Sequence, residues 1–288
     1  MSAVFRHELS TYFTTVSGYV YGAFLLLFGG IYTMVINLNS ALANFEYVVS
    51  NLSFIFLIIV PILTMRVLAE ERRQKTDQLL YALPMGMTQV ALGKYAALLV
   101  VFLVPVAVLG LYPIILSNYG EVYLPAAYGA LGGFYLLGAA LLAIGMFVSS
   151  ITESQAVAAG LCFVVMLVNY FMSSLADYIP STAFASLVAF SVAVLLLGLV
   201  LRRMTRSGVL AAGVSLVLEG VLIAIYILDR DLLAGRFTAV IGELSLFERF
   251  YVFTEGVFDL TGVVYFVTVA AVFLFLTIQS LEKRRWSA

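Results

Sequence analysis

The chain has 288 residues, 63% of them hydrophobic and 11% charged, with a mean hydropathy of +1.09. An ordinary soluble domain carries about 25% charged residues, so the composition excludes that class and points to a membrane protein. The net charge of −1 is uninformative about a polyanionic partner, because in a membrane protein the placement of charge matters more than its sum; no nucleic-acid partner is expected.

In chain order, Val4, Phe5, Leu9, Tyr12 and Phe13 recur at helical spacing, with Arg6, His7, Glu8 and Ser10 between them. This pattern predicts an interfacial connecting helix over residues 1–17. The first long apolar run, residues 19–36, is too long for the apolar core of a cleavable signal and is expected to stay as an anchor. Spanning segments need roughly 17–25 mostly apolar residues. Eight are predicted, at 19–36, 52–65, 94–116, 126–148, 155–175, 182–201, 209–228 and 261–280. The second is expected to kink at Pro61 and to continue helically past Arg66.

The fold class read from these segments is all-α, a polytopic membrane helical bundle forming one domain over residues 1–288. Its recognisable parts are the connecting helix, a loop at 66–88 and an amphipathic outer loop at 229–260. Within that outer loop Leu244, Leu246, Phe247, Phe250, Tyr251, Phe253 and Phe258 are expected to bury against lipid headgroups or the outer ends of the spans. Orientation follows from lysine and arginine. With the N-terminus inside, twelve of the 15 basic residues face the cytoplasm, and Arg230, Arg236 and Arg249 fall in the outer loop beside six acidic residues. Both termini are therefore expected on the cytoplasmic side. Gly129 and Gly133 form a GxxxG in the fourth span, read as close packing of spans within one subunit rather than as a dimer seam.

Chemistry inside the chain finds little support. The single cysteine, Cys162, allows no intrachain disulfide, and the single histidine, His7, excludes a His-based metal site or catalytic triad, so no metal site is expected. Gly93-Lys94 resembles the end of a phosphate-binding loop, but Thr88 stands where its first glycine belongs and Tyr95 replaces the Ser/Thr. No enzyme activity and no bound cofactor are expected. Glu219, halfway along the seventh span, is the intramembrane functional candidate, open to lining a path, relaying protons or holding an interspan hydrogen bond. Asn169 is read as interspan glue.

The charged loop is the most informative stretch. It mixes Glu70 and Glu71 with Arg72 and Arg73, which topology alone does not require. Thr76 is placed to cap a short helix over residues 77–83, and Pro84 ends it. That helix carries Asp77 and an apolar ridge of Leu79, Leu80 and Leu83 where no lipid is needed, which points to a docking partner.

The stretch PILTMRVLAEERRQKTDQLLYALPMGMTQVALGKY resembles the signature of permeases of the type-2 ABC exporter superfamily: an acidic-basic run, a Thr-x-x-Leu-Leu step, a Pro-containing turn and a Gly-Lys opening the next span. The opening FRHELSTYFTTVSGYVYGAFLLLF is similar to that family's connecting helix and first span. LSLFERFYVFTEGVFDLTGVVYF followed by FLFLTIQSLEKRRW resembles the gliding-motility-type and nitrous-oxide-reductase-maturation-type branch. Many relatives have six spans, against the eight read here. The resemblance implies two permease chains, alike or different, with two ABC ATPase subunits that bind ATP and Mg, in the cytoplasmic membrane of a prokaryote. It leaves room for an extracytoplasmic accessory protein. It also implies that residues 70–83 form a coupling helix: Thr76 as cap, Leu79, Leu80 and Leu83 as docking face, and Glu70, Glu71, Arg72, Arg73 and Asp77 alongside them. The alternatives are an ion- or proton-driven carrier using Glu219, and a non-transporting membrane assembly subunit.

Overall fold

The computed structural model describes residues 2–76, 86–205 and 208–285, and all secondary structure among these residues is helical. The chain divides into two compact units, residues 1–170 with 249–288, and residues 171–248. The sequence was read as one domain throughout.

The larger unit starts with α1 (Ser2–Thr14), then α2 (Val16–Tyr32), which runs into a π-helix (Thr33–Asn39). Next come α3 (Glu46–Leu52), a 3₁₀ turn (Ser53–Ile55), α4 (Phe56–Thr64) and α5 (Ala69–Arg73). Then follow α6 (Met87–Leu109), α7 (Leu111–Leu116), α8 (Leu124–Ile151) and α9 (Gln155–Tyr170). The smaller unit holds α10 (Met172–Asp177), α11 (Ala183–Thr205), α12 (Gly208–Leu228) and α13 (Arg236–Leu244). The chain then re-enters the larger unit along α14 (Leu246–Thr254) and ends with α15 (Leu260–Arg285).

Five helical stretches are long and apolar enough to cross a membrane: Gly18–Asn39, Glu46–Arg73, Met87–Leu116, Leu124–Ile151 and Leu260–Arg285. Three shorter apolar helical stretches, Gln155–Tyr170, Ala183–Leu199 and Ala212–Leu228, lie at the other three expected positions. The protein is thus a helical membrane bundle.

Its organising element is α8, which packs against α3, α4, α6, α9 and α15. Glycine makes this crowding feasible. A methyl group on Gly138 would collide with the rings of Phe102 and Phe56, one on Gly145 would lie 2.5 Å from Thr64 Oγ1, and one on Gly133 would lie 2.8 Å from Phe253. Only hydrogen fits at these three positions. Gly129, the other half of the GxxxG, faces open space. Three glycines of α8 therefore seat side chains within the subunit, whereas of the GxxxG pair only Gly133 does so.

Around the Gly138 site the rings of Phe56 and Phe134 stack 4.5 Å apart, and those of Phe102 and Tyr135 stack at 5.4 Å. Phe250 adds an edge to Phe134. Each such pair contributes about 1 kcal/mol beyond the area it buries.

Two local expectations change. The segment after α4 turns at residues 65–68 before α5, so the helix that contains Pro61 ends at Thr64 and does not continue past Arg66. The outer loop forms two short helices, parted at Ser245. There Phe250 and Phe253 are buried, but Leu244 and Phe258 are 51% and 72% exposed.

Within the smaller unit α11 and α12 pair as an antiparallel hairpin. Ser191 of α11 donates a 2.8 Å hydrogen bond to Glu219 Oε2 of α12. Leu216, Val217 and Ile227 are more than two-thirds exposed, an apolar face suited to lipid.

Candidate functional site

The charged residues of the first loop meet α1, α6 and α8 at one end of the larger unit. On α1, Val4 and Tyr12 are buried and Glu8 lies between them at i+4, so the stripe that packs on α6 has a carboxylate at its centre. Tyr12 donates a 3.0 Å hydrogen bond to the Leu63 carbonyl at the end of α4. Burial, reinforced by the negative charge of Glu8, pushes the Tyr12 phenol above its ordinary range.

Lys94 stands in the second turn of α6 with its side chain 1% exposed. Its ammonium donates to Glu8 Oε1 and, at 2.7 Å, to Glu71 Oε1 of α5. One buried cation therefore ties the N-terminal helix and the first loop to the third apolar stretch. Each charge-assisted bond is short and directed, as it must be to offset the desolvation of the ammonium.

The remaining contacts fix α5 itself. A five-residue helix has hardly any internal hydrogen bonds, so its ends need outside partners. At its start the backbone N–H groups of Leu68 and Ala69 both donate to Ser149 Oγ of α8, at 3.2 and 3.1 Å. At its end Lys75 adopts φ +57°, and the N–H groups of Lys75 and Thr76 bond the carbonyls of Arg72 and Glu71. That is a Schellman closure, with lysine in the left-handed position usually held by glycine. Arg72, 7% exposed, donates at 3.1 Å to the Thr152 carbonyl just past α8. On the same side Ser280 of α15 bonds the Ser150 carbonyl, and Arg284 pairs with Glu153 at 3.2 Å.

The structure thus sorts the expected site residues. Glu71 and Arg72 turn inward and anchor the loop. Glu70 accepts a 3.3 Å bond from Gln74 on the exposed side, and Arg73 is exposed. The Thr76 hydroxyl donates back to the Glu71 carbonyl at 3.2 Å. Asp77, Leu79, Leu80 and Leu83 lie outside the described residues. Glu219 is in the smaller unit, where it accepts a hydrogen bond from Ser191 of the neighbouring helix. No group of three or more His, Cys, Asp or Glu residues able to hold a metal occurs among the described residues.

Two residues of the site escaped the sequence reading. Lys94 was counted as a topology charge and Glu8 as part of the polar face. The signal for Glu8 was its central place in the Val4, Glu8, Tyr12 stripe. For Lys94 it was a charge set one turn inside an apolar run.

These features define a polytopic helical membrane protein whose first charged loop is anchored to the base of its bundle. No protein-family model matches the chain, and comparison with curated proteins finds no match.

Proposed function

We propose that the chain is the permease subunit of an ATP-driven ABC exporter, coupled to a separate ATPase through its first loop. The observation that carries this reading is the anchoring of α5. A force applied beyond Thr76 acts on a segment bonded by Glu71 to Lys94 of α6, by Arg72 to the end of α8 and by its N-terminal amides to Ser149. A loop that only set topology would have no use for so many internal bonds. The sequence resemblance over residues 61–95 supplies the partner class.

In this reading the five long helices and the three shorter apolar ones make eight crossings; an even number puts both termini on one side, and the placement of lysine and arginine makes that side the cytoplasm. Two permease chains, identical or different, meet two ATPase subunits that hold ATP and Mg. Residues 77–83 dock through Leu79, Leu80 and Leu83, with the half-buried Glu70 and the exposed Arg73 alongside. Closure of the nucleotide-bound ATPase pair then biases the bundle between two states. The Ser191 bond to Glu219 is consistent with a packing role for that carboxylate in this reading.

The test is affinity purification of the tagged chain from its host, with mass spectrometry of co-eluting proteins. The expected result is an ABC ATPase at near one-to-one stoichiometry, lost in Leu80→Asp while membrane insertion persists. A homo-oligomer without ATPase, or an unchanged complex in Leu80→Asp, overturns the reading.

A further inference from the structure

Away from the charged end, the turn between the first two long apolar stretches holds two buried acceptor oxygens without a hydrogen-bond partner among the described residues: Asn37 Oδ1 and Glu46 Oε2. Both residues are more than nine-tenths buried, at 7% and 6% exposure. Asn37 sits in the π-helix and Glu46 in the first turn of α3, and these two elements pack against each other.

The orientation of the Asn37 amide follows from its partners. Its nitrogen donates to the carbonyl of Leu42 at 2.6 Å and to that of Asn44 at 3.4 Å. Carbonyls only accept, so the end facing them is the nitrogen and the other end is the acceptor. The same bonds hold the amide against residues 42–44, immediately before Glu46. Ala41, at φ +52°, makes the turn that brings this segment back.

A buried carboxyl oxygen without a donor is costly, and a cation bound against it offsets that cost. Among the described residues, the elements packed most closely on α3 supply none. The elements packed on α3 are α2, the π-helix, the 3₁₀ turn and α8, and none of them contains Lys, Arg or His. Phe45, which precedes Glu46, packs on Tyr112 of α7, a helix that also lacks them. Arg249, a basic residue of the same unit, lies over the ring of Tyr265.

From these observations we infer that the corner between the π-helix and α3 binds a monovalent alkali cation of the sodium class, with Asn37 Oδ1 and Glu46 Oε2 as its protein ligands. Hard oxygen donors select a hard cation. A single carboxylate balances a single positive charge, whereas a divalent ion would leave a buried excess. The ion joins the end of the first long stretch to the start of the second, so it clamps the turn between them. This site is independent of the exporter reading and makes no use of the first loop.

The test uses the full chain in detergent micelles, comparing thermal unfolding in sodium chloride and in N-methyl-D-glucamine chloride at equal ionic strength. The expected result is a saturable rise in unfolding temperature with sodium, as for any ligand that binds only the folded state. Glu46→Gln should lose that rise, and Glu219→Gln should keep it. Radioactive sodium should bind at one ion per wild-type chain. Equal unfolding temperatures of the wild type in the two salts overturn the site, whatever the fate of the variants. So does a sodium response that survives in a folded Glu46→Gln.

Discussion

Replacing Lys94 by methionine removes the ammonium and keeps the volume of its stem. It leaves the carboxylates of Glu8 and Glu71 facing each other across an apolar gap, with side chains 13% and 24% exposed. Breaking a buried ion pair by removing one partner costs about 3–5 kcal/mol. Because both carboxylates keep some access to water, the expected loss lies near the lower limit, about 3 kcal/mol. The triple variant Lys94→Met/Glu8→Gln/Glu71→Gln carries no charge at the site and is expected to recover to within about 1 kcal/mol of the wild type. Glu8→Gln alone keeps the Lys94–Glu71 pair and should lose only about 1 kcal/mol. Reversible unfolding in mixed micelles, followed by helical circular dichroism, measures all four proteins. The three altered residues share one network, so their effects should be strongly non-additive. A Lys94→Met protein within about 0.5 kcal/mol of wild type, or a triple variant as unstable as the single one, refutes the argument.

Gly138→Val places two methyl groups against the rings of Phe102 and Phe56 and is expected to destabilise the bundle by about 1–3 kcal/mol in the same assay, whereas Gly132→Val, facing open space, should be close to neutral. Tyr12→Phe removes one hydrogen bond, about 1 kcal/mol near neutral pH. Because burial raises the folded phenol's pKa, the unfolded chain loses its proton first, so stability falls as pH rises through about 10. That alkaline loss should be shallower in Tyr12→Phe, and equal slopes for the two proteins would sink the assignment.

Apolar run length made the bundle legible in the sequence: helices appear at every expected span position because lipid imposes one simple requirement, a continuous stretch without charge. The break at residues 65–68 was not legible. The sequence there contains no glycine or proline, and the turn forms because Ser149 of α8 offers its hydroxyl to two amides that would otherwise continue the helix. The same long-range origin hid Lys94. Its burial depends on two carboxylates 86 and 23 positions away, and neither spacing leaves a periodic trace. For the loop, charge pattern suggested contact, and the structure divides it: Glu71 and Arg72 look inward, while Glu70 and Arg73 remain on the outside. Of the outer loop's aromatic residues, Phe247, Phe250 and Phe253 bury as expected, while Phe258 stays exposed. Which of them bury depended on the break at Ser245, which leaves Leu244 exposed.

The glycine sites of α8 bear on how the larger unit can move. Residues 133, 138 and 145 receive Phe253, Phe102 and Thr64, knobs from three different helices, spread over about 18 Å of the α8 axis. A helix faced by uniform side chains can slip by one turn and find equivalent neighbours. Here a slip of one turn would drive the ring of Phe102 and the Thr64 side chain into positions that carry side chains, and would have to free all three knobs at once. Screw-like or ratcheting travel along α8 is therefore blocked. Any rearrangement of the larger unit carries α4, α6, α8 and the Phe253 turn of α14 together as one piece, and flexing is left to the joints that no glycine site pins.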